Sequence, residues 1–128
     1  MLKNIAIAFG IVFIIVGILG FVSAVTPNGL LLGYFEVNPA HNVVHLATGV
    51  VALIVAFASE KAMRLFFQIF GVIYALVALM GFFMGNQPLL GIVAINAADN
   101  WLHVLIAIVA LYLGFGMKAA EPAAATTT

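Results

Sequence analysis

The chain has 128 residues, 66% of them hydrophobic and 6% charged, with four basic against four acidic side chains and a mean hydropathy of +1.31. Soluble domains are about half apolar and about a quarter charged, so neither a soluble enzyme nor a disordered chain fits this composition. Zero net charge leaves no basic face for nucleic acid, and the lack of cysteine excludes disulfides and thiolate-held metal centres.

The composition is that of an integral membrane protein, and a span needs about 20 mostly apolar residues in helix. The first candidate covers 5–25, and between Ile5 and Val22 no polar side chain interrupts it. Lys3 ahead of this run and Val22-Ser23-Ala24 behind it imitate a secretory signal, but the run is longer than a signal core and reads as a retained span. A loop follows over 26–38 with Pro27, Asn28 and Gly29. The second span covers 39–58, and Ser59-Glu60-Lys61-Ala62 is a tight turn into the third, 63–84. A second long loop, 85–96, carries Asn86, Gln87 and Pro88 before the fourth span, 97–117. The tail 119–128, mostly Ala and Thr with Glu121 and Pro122, is expected to be disordered. The expected fold is all-α, an integral membrane four-helix bundle forming one domain over 1–118.

Lys3, Lys61, Arg64 and Lys118 are all the basic residues, and none lies in either long loop. The positive-inside rule therefore puts both termini in the cytoplasm and both long loops outside.

Displacing the chain by 58 positions brings Asn28 onto Asn86, Leu31-Leu32-Gly33 onto Leu89-Leu90-Gly91, Asn38 onto Asn96, Asn42 onto Asn100 and His45 onto His103. Apolar matches are cheap in such a chain; matches of Asn and His are not. The reading is two parallel helix-hairpin repeats, 3–60 and 61–118, related by a pseudo-twofold axis near the membrane normal.

The rare polar residues collect where the second and fourth helices begin, as Asn38-Pro39-Ala40-His41-Asn42-Val43-Val44-His45 and Asn96-Ala97-Ala98-Asp99-Asn100-Trp101-Leu102-His103. Asn38 and Asn96 are natural N-caps, Pro39 fits the first helical position, and Asp99 faces the positive end of its helix. Spacings of three, four and seven put Asn38, His41, Asn42 and His45 on one stripe, and Asn96, Asp99, Asn100 and His103 on another. His45 and His103 lie about 10 Å inside their helix starts, a depth at which ionisable groups must face the bundle. His41, His45, Asp99 and His103 are therefore expected to converge near the axis.

These paired motifs, with Gly33 and Gly91 before them, resemble those of a family of small four-span bacterial membrane proteins grouped as a domain of unknown function. The resemblance runs from the first helix to the fourth. It implies the four-span fold and a bacterial inner (or thylakoid-type) membrane, and carries no activity to transfer.

Three readings of the constellation stand side by side. In the first, it is a structural polar network: Asn38 and Asn96 cap, Asn42 and Asn100 tie down the loops, and His45 and His103 hydrogen-bond each other or a carbonyl. In the second, His41, His45, Asp99 and His103 ligate Zn, Fe or Mn, with Asn42 and Asn100 orienting the imidazoles. In the third, His45 and His103 are axial ligands of a haem or other tetrapyrrole. No nucleophile elbow, phosphate-cradling loop or pair of intramembrane carboxylates is present, so a non-enzymatic accessory or structural protein is expected, in contact with lipid and acting as a homo-oligomer or as a subunit of a larger membrane complex. The glycine stripes Gly10, Gly17, Gly20 and Gly71, Gly81, Gly85 are expected to be contact faces for partners. Gln68 is expected to make an interhelical hydrogen bond, and Glu36 to face water.

Overall fold

The computed structural model describes residues 1–117, so Lys118 and the tail 119–128 lie outside the described residues. Four helices make the body: α1 (Leu2–Leu19), α2 (Pro39–Ala58), α3 (Glu60–Met84) and α4 (Ala97–Leu111), the last continued by one wide turn, Tyr112–Gly116. All four are long and apolar enough to cross a membrane. Each buries only 28% to 39% of its span inside the protein, so most of its apolar surface is left for lipid.

Four boundaries differ from the sequence reading: α1 already begins at Leu2 rather than 5, and the other three have local reasons. α1 stops at Leu19 rather than 25, and the chain passes into short turns at Ser23–Val25 and Pro27–Gly29. Pro27 lacks an amide donor and disfavours helix at the residue before it, and Thr26 accordingly leaves the helical region with φ −123°. The turn between α2 and α3 is one extended residue, Ser59, at φ −158° and ψ 161°. Its Oγ accepts the Ala62 amide at 3.0 Å, so α3 starts at Glu60 rather than 63. At the far end, the Met117 amide reaches back five residues to the Tyr112 carbonyl, which widens the last turn of the fourth span. Gln68 Nε2 donates to the Gly114 carbonyl of that turn at 2.9 Å, the interhelical bond expected of it.

Packing follows from small residues. α1 lies along α2, and α3 along α4, with lighter contact between α2 and α3. A Cβ on Gly10 would stand 2.9 Å from the Gly49 carbonyl oxygen, and one on Gly49 would stand 2.7 Å from that of Gly10. Gly17 meets Leu46, Gly20 meets Asn42, Gly71 meets Leu111 and Gly81 meets Asn100. These glycines are consumed inside the hairpins, so they are not the partner faces expected of them; Gly85 instead ends α3 with φ 64°. α1 and α3 meet through aromatic rings: Phe9 and Phe70 lie 5.0 Å apart between centroids, Phe13 and Phe70 5.6 Å, and Phe13 and Tyr74 6.1 Å.

Burial is patterned across the two halves. Each buried position of α2 (His41, Asn42, His45, Gly49, Ala52, Ala56) has a buried residue 58 positions on: Asp99, Asn100, His103, Ala107, Ala110, Gly114. For α1 the matching interval is 61: Leu2, Ala6, Gly10, Phe13 and Gly17 lead to Met63, Phe67, Gly71, Tyr74 and Ala78. The offset of 58 seen in sequence thus describes the loops and second helices of each half, while the first helices register three residues further on.

Candidate functional site

The site is built where the two long connections meet the starts of α2 and α4. In the first connection, Leu30–Leu31 (β1) pairs antiparallel with Phe35–Glu36 (β2), and the chain reverses through Leu32 and Gly33 at φ 54° and 79°. The second connection makes the same reversal in miniature, with Leu89 bridged to Val93 and Leu90 and Gly91 at φ 53° and 72°. Two successive left-handed residues are what a tight antiparallel reversal requires.

Each reversal delivers the chain to a capping asparagine. Asn38 Oδ1 accepts the His41 amide at 2.9 Å, and Asn96 Oδ1 accepts the Asp99 amide at 3.1 Å. Asp99 Oδ2 returns to the Asn96 amide at 3.0 Å, completing a capping box. The other end of each cap crosses to the opposite connection. Asn38 Nδ2 donates to the Ile92 carbonyl and Asn96 Nδ2 to the Tyr34 carbonyl, both at 2.8 Å.

Two further ties cross in the same way. Asp99 Oδ2 accepts the Glu36 amide at 3.0 Å. His41 Nδ1 lies 2.7 Å from the Ala94 carbonyl oxygen and 3.0 Å from that of Glu36. Carbonyl oxygens only accept, so Nδ1 carries the ring hydrogen and donates it to both. Glu36 was expected to face water, yet it is half-buried and its peptide serves both ties.

One turn further in, the His45 ring stacks beneath His41 with centroids 4.7 Å apart and leans on Phe13 at 5.2 Å. The His103 ring stands 6.2 Å from His41 and edge-on to Tyr74 at 5.2 Å. The three imidazoles and Asp99 therefore do come together, all with less than a tenth of their surface exposed. The expected hydrogen bond of His45 and His103 to each other or to a carbonyl is not made: no hydrogen bond holds either ring, and each Nδ1 is buried without a partner. Asn42 and Asn100 do not orient the imidazoles or hold the loops through Oδ1. Each Oδ1 packs instead on a glycine backbone, Gly20 and Gly81 respectively, and accepts no conventional hydrogen bond.

Among the described residues, no group of three or more His, Asp or Glu has the arrangement of a metal site. Asp99 Oδ2 holds two amides and His41 Nδ1 two carbonyls, so both atoms are committed to backbone. The partners that sequence reasoning missed are the carbonyls of Tyr34, Ile92 and Ala94 and the peptide groups of Glu36. Main-chain atoms leave no signature in residue identity.

Fold and site together define a small multi-pass membrane protein whose rare polar residues gather at one end of an all-α bundle. The chain belongs to the family described as Domain of unknown function (DUF4383), whose model matches residues 3–116. No curated protein and no solved structure matches it.

Proposed function

We propose that this chain is a non-enzymatic accessory or structural membrane protein, built of two helix hairpins that a His/Asp/Asn buckle fastens together. The observation that carries this is the crossing of the ties: the cap amides of Asn38 and Asn96, the Asp99 carboxylate and the His41 imidazole each bond to the opposite hairpin's connection. Four such contacts, each worth about 1 kcal/mol net and more where charge is involved, hold two halves that lipid would not otherwise press together. The paired burial at intervals of 58 and 61 supports reading the halves as copies of one hairpin.

The placement of Lys3, Lys61 and Arg64 away from the long connections supports an orientation with the buckle outside and the termini in the cytoplasm of a bacterial inner membrane. Exposed aromatic side chains beside the buckle, Tyr34 and Trp101, suit the membrane interface. A body this small and rigid, without a water-exposed domain among the described residues, suits assembly with copies of itself or with a larger membrane complex.

The test is a composition measurement on protein purified in mild detergent without immobilised-metal chromatography. The expected result is no stoichiometric Zn, Fe or Mn and no Soret band. About one equivalent of metal, or a Soret band, lost on His45→Ala and His103→Ala would replace the buckle with a cofactor site.

A further inference from the structure

Two grooves open sideways between the hairpins, and they are not equivalent. The groove between α2 and α3, about 490 Å³, has Thr48, Val51, Phe70 and Ile73 in its wall. The groove between α1 and α4, about 430 Å³, has the counterparts Phe9, Val12, Ile106 and Val109, together with Phe13 and His45. The intervals of 58 and 61 relate most positions of the two linings, so the differences are meaningful. In the α2–α3 groove Thr48 lies beside the Tyr74 side chain, and His103 does not reach the lining. In the α1–α4 groove the matching positions are Ile106 and Phe13, which carry no hydroxyl, and His45 forms part of the wall.

Among the described residues, His45 is the only hydrogen-bonding side chain in that second groove. It is 8% exposed, no hydrogen bond within the protein holds either ring nitrogen, and of the two only Nδ1 is fully enclosed. An imidazole nitrogen left without a partner among apolar side chains carries a cost, and a ligand oxygen in the groove would relieve it at Nε2, the nitrogen that is not enclosed. The volume and the apolar walls with one polar group are those of a small-molecule site.

We propose that the α1–α4 groove binds a membrane-soluble quinone, its ring against Phe9 and Phe13 and one ring oxygen hydrogen-bonded to His45. Three features select this class. The lining carries no charge, so the head group is neutral. Phe9 and Phe13 stack at 4.3 Å and present aromatic surface to a flat ring. His45 lies six residues beyond Pro39, about 9 Å into the helix, too deep for a phosphate head group and suited to a ring head with an isoprenoid tail. Neutral imidazole donates to a quinone carbonyl or accepts from a quinol hydroxyl, so both forms are held; only binding is proposed. This goes beyond the buckle, which uses other atoms, and either can fail without the other.

The test uses full-length protein in nanodiscs of saturated phosphatidylglycerol, with the histidine rings labelled for NMR and a decyl-tailed benzoquinone as probe. Saturable shifts at His45, with His41 unmoved, are the expected result. Val12→Trp fills this groove and should weaken binding at least about tenfold; Ile73→Trp, at the matching place in the sister groove, should change it by less than about twofold. Decanol competing as well as the quinone on the wild-type protein would overturn the proposal, and that comparison needs no variant to fold. Absence of a saturable shift, or equal losses in the two tryptophan variants, would overturn it as well.

Discussion

Asn42 Oδ1 occupies the place a Cβ on Gly20 would need, 1.9 Å from it, and Asn100 Oδ1 stands in the same relation to Gly81. Each asparagine is 2% exposed, so neither amide has free space to retreat into. The oxygen contacts glycine Cα–H, a weak hydrogen bond that only glycine's bare backbone permits. Gly20→Ala and Gly81→Ala should each destabilise the folded protein by about 1 to 3 kcal/mol, the usual cost of overpacking. Pairing Gly20→Ala with Asn42→Ala should recover part of that loss, read as detergent-resistant thermal unfolding. Full additivity of the two substitutions would show that the contact is not shared.

Asp99 acts through one oxygen that accepts the Glu36 and Asn96 amides. Asparagine offers an equivalent oxygen, and leucine none. Asp99→Asn should therefore lower stability only slightly, whereas Asp99→Leu should remove a cap and strand two amides, costing about 2 kcal/mol or more. Equal loss in the two variants would mean that the charge, not the acceptor, is what matters.

Leu32 and Leu90 adopt φ of 54° and 53° with 61% and 76% of their surface exposed. A left-handed leucine costs about 1 kcal/mol or more, and asparagine tolerates that region far better. Leu32→Asn and Leu90→Asn should each raise the unfolding temperature when measured in detergent. A loss in detergent would show that these side chains make contacts worth more than the strain.

Much of this was legible in the sequence. Four apolar runs fixed the helices, and α2 begins and ends where Pro39 and Ala58 said it would. The spacing of Asn38, His41, Asn42 and His45 announced a buried stripe, because costly polar groups in lipid must turn inward. The internal wiring was not legible. Asn38 and Asn96 were recognisable as caps from their oxygens, but the carbonyls their amides reach belong to Ile92 and Tyr34, where any residue would serve. The glycines misled for a related reason: a small-residue stripe signals close approach, and pattern alone does not say whether the approaching helix is internal or foreign.

Orientation has a direct check. Single cysteines at Tyr34 and Lys61, both exposed, should label from opposite sides of a membrane vesicle, position 34 from outside. Labelling of position 61 by an impermeant reagent added outside intact cells would invert the topology.

The central claim is that the buckle holds the two hairpins together, and distance measures this most directly. Spin labels at positions 34 and 92, in the two connections and exposed by 71% and 63%, report their separation in liposomes by pulsed electron resonance. The native protein should give one short, narrow distribution, because Asn96 bonds the Tyr34 carbonyl and Asn38 the Ile92 carbonyl. Replacing Asn38 and Asn96 together by serine keeps a capping oxygen and removes both crossing amides. The distribution should then broaden and lengthen while helix content stays the same. An unchanged narrow distribution in that variant would contradict the account.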